Sequence, residues 1–208
     1  MEDHLIGDIP YGAKKIGLAM SGGCDSSLLF YLLCKKIIDE DLDVKIYPLI
    51  LCHIDRKYIS ETVHNIINLQ KHLSFVSDPY VYISYYDRKY TTENLKKFLN
   101  PKKRNVDIIV RGTSKSLPEN ITKIPVYNDR ENCDDINSDK EWVPFVSLNK
   151  YDIALIYKMY NLKELFKLTA SCSNYYIDKR GIGITCKKCR ACIEKKIAFK
   201  TFDNEWLL

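Results

Sequence analysis

The sequence predicts an α/β fold in which helices cover both faces of a parallel sheet. Short apolar runs alternate with segments of helical periodicity from residue 15 to residue 110. The first run, KIGLAM, ends in Ser-Gly-Gly and leads straight into a helical pattern. Strands that alternate with helices are joined by right-handed crossovers, which bring the strands into parallel order. We therefore expect one parallel sheet, followed by a C-terminal segment that is rich in cysteine.

Apolar runs predict four strands, at residues 15–20, 44–51, 80–84 and 107–110. Helical spacing of apolar residues predicts helices at residues 25–38, 60–73, 91–99, 150–160, 162–168 and 193–199. Pro48 interrupts the second strand and predicts a bend there. Residues 113–141 break the alternation with two prolines and an acidic run, so they predict a long loop or lid. Order is expected to resume at residues 143–148.

Composition narrows the class of protein. No apolar run approaches the roughly 18 residues that a membrane-spanning helix needs, and the acidic N-terminus is unlike a secretory signal. We therefore expect a cytoplasmic protein without a membrane partner. The net charge of +5, from 32 basic and 27 acidic residues, suits a nucleotide but is too small to indicate a nucleic-acid surface. The oligomeric state is left open, with a homodimer as one alternative.

The stretch SGGCDSS has the residue types of a phosphate-binding loop. Two consecutive glycines let successive backbone N–H groups turn toward one anion. The helix that follows adds free N–H groups and the positive end of its dipole. Hydroxyl groups can donate to phosphate oxygens, and a carboxylate can hold Mg²⁺. The candidate phosphate-binding residues are Ser21, Gly22, Gly23, Asp25, Ser26 and Ser27. The alternative is a plain strand–turn–helix junction with Asp25 as the helix N-cap.

Four of the eight cysteines lie close together near the C-terminus: Cys172, Cys186, Cys189 and Cys192. In a cytosolic protein such crowding is more typical of a metal site than of disulfides. Four thiolates without an open position indicate structural Zn²⁺. An iron–sulfur cluster and unligated thiols are the alternatives. We expect residues 171–208 to form this metal-binding segment, packed on an ATP-binding domain of residues 1–170.

SGGCDSS, directly after the first strand, resembles the SGGxDS signature of the PP-loop (N-type ATP pyrophosphatase) superfamily. Arg111-Gly112 at the end of a strand and the LNKYDI segment that carries Lys150 are also similar to motifs of that superfamily. The resemblance implies a parallel-sheet PP-loop fold, of the adenine nucleotide alpha hydrolase type. It also implies that ATP is cleaved to AMP and pyrophosphate with Mg²⁺, that Asp25 and Lys150 are catalytic, and that Gly112 and Lys150 face the nucleotide. Lys150 by itself also fits a solvated lysine at a helix start.

The C-terminal part is similar to 7-cyano-7-deazaguanine synthases of queuosine biosynthesis, in TASC at residues 169–172, CKKCRAC at 186–192 and KKIAF at 195–199. Those enzymes hold zinc on four cysteines. They convert 7-carboxy-7-deazaguanine, with ATP and ammonia, through an amide to a nitrile. The resemblance implies an ATP-dependent C–N ligase that adenylates the carboxylate of a small heterocyclic acid.

Two departures from that family leave the identity of the acid open. HIDR at residues 53–56 replaces the expected tyrosine- and glutamine-bearing motif, and TSKS at residues 113–116 replaces an aspartate-rich loop. Arg111 is predicted to pair with the carboxylate of the substrate, with a surface role as the alternative. Two other functions are considered. One is a PP-loop sulfur transferase that modifies a tRNA base through Cys24 or Cys133, and the other is a nucleotide-binding module without catalysis.

Overall fold

The computed structural model describes residues 5–53, 58–84, 106–124, 140–172, 176–177 and 183–201. The helix predicted at residues 91–99 and most of the acidic loop lie outside the described residues, as does Cys133.

Five parallel strands form the central sheet in the described part of the chain. They are β1 (Lys15–Met20), β2 (Lys45–His53), β3 (Tyr80–Ser84), β4 (Ile108–Arg111) and β5 (Glu141–Trp142). Their order is β3-β2-β1-β4-β5, and each neighbouring pair is parallel. The prediction of a parallel sheet is confirmed, and the four predicted strands are β1 to β4.

The described helices are α1 (Cys24–Asp39), α2 (Tyr58–Asn68), α3 (Glu119–Thr122), α4 (Lys150–Met159), α5 (Lys163–Leu168) and α6 (Arg190–Phe199). A short antiparallel hairpin, β6 (Tyr176–Ile177) and β7 (Gly183–Ile184), precedes α6. α6 begins three residues earlier than the sequence predicted, because the helix starts directly after a cysteine of the cluster. Among the described residues, no helix combines the length and the hydropathy needed to cross a membrane.

The C-terminal helices join the main core through three aromatic rings. Tyr157 of α4, Phe166 of α5 and Phe199 of α6 are all fully buried. The ring centroids of Tyr157 and Phe166 are 5.7 Å apart, and those of Phe166 and Phe199 are 4.6 Å apart. Such aromatic contacts add to the apolar area that they bury. They fix α6, and with it part of the cysteine cluster, against the α/β core.

Pro48 lies inside β2 rather than ending it. The contact between β2 and the following segment is interrupted there, because the pairing changes from Ile46↔Val76 to Leu49↔Tyr80. Between these two contacts β2 advances by three residues, whereas the neighbouring segment advances by four. A proline cannot donate to the ladder and is tolerated at such an irregularity. The pairing of β2 with β1 continues through Pro48 without a break.

The sheet order places a crevice at the carboxyl end of β1. From β1 the chain moves outward through β2 and β3, then returns to β4 on the other side of β1. Connections therefore leave β1 and β4 in opposite directions. In open α/β sheets ligands bind at such a switch point, outside the carboxyl ends of the strands.

Candidate functional site

The turn after β1 requires glycine at position 22. Gly22 has φ +72°, and a Cβ atom there would lie 2.8 Å from the Thr62 side chain of α2. Only glycine satisfies both constraints. Gly23 is the N-cap of α1, with extended backbone and no side-chain cap. The alternative in which Asp25 caps the helix is therefore wrong, since Asp25 is already the second helical residue.

Serine hydroxyl groups surround the N–H donors of this loop. The Ser21 N–H donates to the Ser26 hydroxyl at 3.3 Å, and the Gly23 N–H donates to the Ser21 hydroxyl at 3.4 Å. The Cys24 N–H donates to Ser171, 147 residues along the chain, at 3.3 Å. The loop therefore holds its shape by its own hydrogen bonds and by one from the C-terminal part.

Asp25 lies at the centre of a small polar network. Lys150 Nζ contacts both carboxylate oxygens, and the Ser114 hydroxyl donates to Oδ2 at 2.7 Å. Only 14% of the Asp25 side chain and 7% of the Lys150 side chain are exposed. Burial alone would raise the pKa of Asp25, but the charge of Lys150 and the hydrogen bonds from Lys150 and Ser114 outweigh it, so this pKa lies below its ordinary value. Asp25 is therefore an ionised carboxylate at neutral pH.

The first turn of α4 fixes the position of Lys150. Asn149 and Asp152 form a capping box. The Asn149 side chain accepts from the Asp152 N–H, and the Asp152 carboxylate accepts from the Asn149 N–H. The segment after β4 lies alongside, because the Lys115 N–H donates to the Leu148 carbonyl at 2.7 Å. Lys150 is thereby directed inward and is 6% exposed, so the alternative of a solvated lysine at a helix start is wrong.

Gly112 permits a close approach between the end of β4 and α1. A Cβ atom at Gly112 would lie 2.8 Å from the Asp25 carbonyl oxygen and 2.9 Å from the Ser26 Cα atom. Backbone atoms cannot yield as a flexible side chain would. The absence of a side chain at Gly112 therefore lets the end of β4 pack closely on α1. This close packing brings Ser114 within reach of Asp25.

A cavity of about 320 Å³ opens at this edge of the sheet. Its walls come from the loop, the end of β4, the starts of α2, α4 and α6, and the segment before the first cysteine of the cluster. Six predicted site residues line it: the nucleotide-site residues Ser21, Gly23, Asp25, Gly112 and Lys150, and the metal ligand Cys172. Three others lie buried behind that wall: Gly22, Ser26 and Ser27. The Ser27 hydroxyl donates to the Gly23 carbonyl at 2.8 Å, which stabilises the turn.

Arg111 is placed differently. Its guanidinium forms an ion pair with Glu141 of β5, and the side chain lies outside the cavity wall described above. Its predicted contact with a substrate carboxylate stays a prediction, because the ion pair would have to rearrange for that contact.

Cys24 is a buried thiol at the cavity wall. Burial raises its pKa above 9.0, and the positive charge of Lys150 offsets only part of the rise. The thiol donates to Asp25 Oδ1 at 3.3 Å. A protonated thiol is a poor nucleophile. The raised pKa and the hydrogen bond to Asp25 favour a protonated thiol that supports the carboxylate.

The four predicted metal ligands come together. All their sulfur atoms lie within 4.8 Å of one another. The Cys186–Cys192 and Cys189–Cys172 sulfur pairs are each 4.0 Å apart. Tetrahedral thiolates at the usual zinc–sulfur bond length lie about 3.8 Å apart. The donor set and its spacing therefore fit one tetrahedral ion.

Backbone N–H groups already point at two of these sulfur atoms. The Cys186 N–H donates to Cys172 Sγ and the Cys189 N–H to Cys186 Sγ, each at 3.2 Å. Lys187, between the two cysteines, has φ +57° and turns the chain back on itself. Hydrogen bonds of this kind favour the charged thiolate form that a metal requires.

Two charged residues of α6 were missed by the sequence analysis. Glu194 is 1% exposed, lines the cavity and accepts from the Leu117 N–H and from Arg190, each at 3.0 Å. Lys195 is also 1% exposed and donates to the Thr169 hydroxyl at 2.8 Å. A charged residue next to a cysteine motif gives no signal that it is buried. The hydrogen bond from Ser114 to Asp25 was also missed, because it joins residues 89 positions apart in the chain.

No protein-family model and no curated protein matches the sequence. Among solved structures, the fold is similar to that of the U34-tRNA thiolase NcsA from Methanococcus maripaludis with its 4Fe-4S cluster, at TM-score 0.48 and 12% identity. That similarity covers 73% of this chain and 58% of the thiolase chain. The NH3-dependent NAD synthetase from Campylobacter jejuni, in complex with nitrate, is similar at TM-score 0.44 and 17% identity, over 74% of this chain and 67% of its own. Both similarities concern architecture alone, so the chemistry of the site rests on its own residues.

Proposed function

We propose that the protein is a PP-loop enzyme that uses ATP to adenylate the carboxylate of a small heterocyclic acid and then converts it with ammonia. The observation that carries this proposal is the joining of Asp25, Lys150 and the Ser21–Ser27 loop at one cavity. A nucleotide-binding module would need the loop but no buried Lys–Asp pair beside it. The 7-cyano-7-deazaguanine synthase reaction is the particular activity that we propose, on the resemblance of the C-terminal segment.

The proposed reaction begins with attack of a carboxylate oxygen on the α-phosphorus of ATP. The bond between that phosphorus and the oxygen bridging to the β-phosphorus breaks, and pyrophosphate leaves. Ammonia then attacks the acyl carbon, AMP leaves and an amide forms. A second ATP would adenylate the amide oxygen, and loss of AMP and protons gives the nitrile.

Each cavity residue has a proposed role in that sequence. Gly23 and Ser21 offer backbone and hydroxyl donors to the pyrophosphate, which binds at the N-terminus of α1. Lys150 neutralises charge that develops on the leaving pyrophosphate. Asp25, ionised and at the cavity wall, would hold Mg²⁺, which supplies Lewis-acid activation of the phosphates when bound.

For the cysteine site we propose structural Zn²⁺. The thiolates of an iron–sulfur cluster bind different iron atoms, so they lie farther apart than the ligands of a single ion. Sulfur atoms within 4.8 Å of one another support the single ion. Four protein ligands leave no coordination position for water, which supports a role in stability.

The test is incubation of the protein with ATP, Mg²⁺, ammonium and 7-carboxy-7-deazaguanine. Mass spectrometry should show amide or nitrile, and AMP and pyrophosphate should accumulate in step with it. Lys150→Met should abolish both products. Lys158→Met is the matched control, because Lys158 lies on the same helix with an exposed side chain, and it should keep the activity.

The outcomes separate the levels of the proposal. ADP and inorganic phosphate as products would overturn adenylation. Pyrophosphate release with another acid would retain adenylation and overturn the deazaguanine substrate. Iron and acid-labile sulfide at the four cysteines would overturn zinc and favour the sulfur-transferase alternative.

A further inference from the structure

One face of α4 carries three large apolar side chains that are exposed to solvent. Tyr151 is 43% exposed, Leu155 is 57% exposed and Met159 is 52% exposed. Residues four positions apart lie above one another on a helix, so the three side chains form one stripe. These three residues are here called the α4 stripe. The opposite face of the helix packs into the core through Ile153 and Tyr157.

The α4 stripe differs from the other apolar surface of the described residues. There, the other exposed large apolar side chains occur singly, on four different segments: Tyr11, Ile38, Leu69 and Ile121. Single exposed apolar residues are normal on a protein surface, whereas a contiguous apolar patch marks an interaction site. The α4 stripe is therefore the strongest candidate for an interface in the part of the chain that the structure describes.

The two ends of α4 carry opposite charges beside this stripe. Asp152 lies in the first turn of the helix and Lys158 lies in its last turn. If a second copy packs on the stripe with its α4 antiparallel, the acidic turn of each helix lies beside the basic turn of the other. A parallel arrangement would instead bring turns of like charge together. The charge pattern therefore favours antiparallel pairing with a second copy of this chain.

We propose that the α4 stripe is a self-association surface, through which two copies of this chain form a homodimer with antiparallel α4 helices. A twofold axis requires one surface patch to fit its own copy, and the stripe meets this requirement in both shape and charge. The dimer is independent of the proposed function, because the cavity wall described above comes from one chain.

The twofold axis fixes which residues meet. Leu155 is the middle residue of the stripe, so it faces the partner subunit's Leu155. Lys158 follows Tyr151 by seven residues, or about two turns, and lies on the same flank of the helix. In antiparallel packing equal flanks meet, so the Lys158 ammonium lies beside the ring of the partner subunit's Tyr151. A cation over an aromatic ring stabilises such a contact.

The size of the stripe implies a weak dimer. Three side chains that are each about half exposed present a few hundred Å² of apolar surface, whereas a standard interface buries roughly 800 Å² per partner. We therefore expect a dissociation constant on the order of 10–100 μM.

Sedimentation equilibrium of the full-length protein measures this association. The wild type should change from monomer to dimer between about 1 and 500 μM. Leu155→Lys places two ammonium groups opposite each other at the axis and should weaken association by about tenfold or more. Leu69→Lys is the matched control, since Leu69 is 44% exposed and follows the end of α2. A monomeric wild type would overturn the dimer, and equal losses in the two variants would overturn the α4 stripe as its contact.

The charge of Lys158 gives a second test of the same surface. Lys158→Glu places an acidic group beside the acidic first turn of the partner helix and should weaken association about fivefold at low salt. Salt at about 1 M should remove most of this difference from the wild type, because it screens the charges. Lys71→Glu, at an exposed position outside α4, is the control. Equal effects of the two substitutions would assign the loss to net charge and overturn the charge pairing.

Disulfide cross-linking tests the orientation of the helices. Two copies of Leu155→Cys meet at the axis, whereas the two Met159 positions of an antiparallel pair lie about 12 Å apart along the helices. A disulfide requires Cα atoms within about 7 Å of each other. Mild oxidation should therefore give a covalent dimer of Leu155→Cys above the background of the wild type, and none of Met159→Cys. No cross-link at position 155 would overturn the contact, and equal cross-linking at both positions would overturn the antiparallel order.

Discussion

The candidate phosphate-binding loop (residues 21–27) and the cysteine site both border one cavity, yet they are stabilised by opposite means. In the loop, N–H groups meet serine hydroxyls, and a buried carboxylate meets a buried lysine. In the cysteine site, four thiols crowd within 4.8 Å, and as thiolates they repel one another unless a cation binds. The loop is therefore ordered by the fold, whereas the order of the cysteine site would depend on the proposed Zn²⁺.

This difference implies an unequal response to mutation. Removal of a metal ligand forfeits binding free energy that belongs to folding. Removal of one hydroxyl from the loop forfeits one hydrogen bond, at about 1 kcal/mol. The largest losses of stability should thus come from the cysteine side, and the largest losses of nucleotide affinity from the loop side.

Replacement of a cysteine ligand should have the largest effect on stability. Cys189→Ser should lower the free energy of unfolding by about 5 kcal/mol, because the ion is lost or weakly held. The melting temperature of metal-loaded protein, with metal content by mass spectrometry, measures this. Cys34→Ala is the control, since Cys34 is a buried core thiol of α1 outside the cluster. Equal losses in the two variants would contradict a metal-dependent fold.

Breaking the Asp25–Lys150 pair should have the second-largest effect on stability. Asp25→Asn leaves a buried ammonium without its counter-charge and should cost about 3 kcal/mol in urea unfolding at pH 7. The double variant Asp25→Asn, Lys150→Met removes both charges and should recover most of that loss. If the double variant is less stable than Asp25→Asn alone, the pair is not the cause.

The same pair has a defined pH dependence. The folded-state pKa of Asp25 lies below the value of 3.8 that an unperturbed aspartate has. The stability from its ionisation is therefore fully present above the unfolded pKa and is lost as pH falls through the lower folded pKa. The stability difference between wild type and Asp25→Asn should be constant from pH 5 to pH 8 and should shrink only below about pH 4. If the stability difference shrinks near pH 6 instead, the pH dependence belongs to a group other than Asp25.

Crowding at Gly112 should have an intermediate effect. Gly112→Ala places a methyl group against the Asp25 backbone and should cost about 2 kcal/mol, with weaker ATP binding measured by calorimetry. Gly23→Ala is the matched control, because its Cβ atom would have ordinary contacts of 3.5 Å or more. It should cost less than about 1 kcal/mol, from the poorer N-cap. The reverse order would show that the loop, and not the β4 approach, limits packing.

The smallest effect is expected at Arg111. The ion pair with Glu141 is partly exposed, so Arg111→Ala and Glu141→Gln should each cost about 1 kcal/mol or less. If Arg111 also binds the acid, Arg111→Ala alone should raise KM for the acid more than for ATP. Equal KM values in both variants would limit Arg111 to holding β5.

The sequence predicted the parts of the site that local chemistry determines. The strand–Gly-Gly–helix junction and the cysteine spacing were correct, because each depends on neighbours in the chain. Lys150 was selected through a family resemblance, and its buried pairing with Asp25 depends on packing between α1 and α4. Ser171 and Lys195 form hydrogen bonds with residues more than 20 positions away in the chain, and sequence periodicity does not indicate such contacts. The ion pair of Arg111 with Glu141 was likewise not predicted, because no local pattern joins the two residues.

The sequence distances in the proposed nucleotide site have a consequence for biosynthesis. During synthesis, 147 residues must be added after Cys24 before its partner Ser171 is made, and 125 residues after Asp25 before Lys150 is made. At translation rates of about 5–20 residues per second, the first of these intervals lasts roughly 7–30 s. During that time the emerging N-terminal half has its glycine turn but lacks the lysine and the serine that complete it. A ribosome-bound chain that is stalled before residue 150 should therefore fail to bind ATP, while its β1–β2 pairing can already have formed.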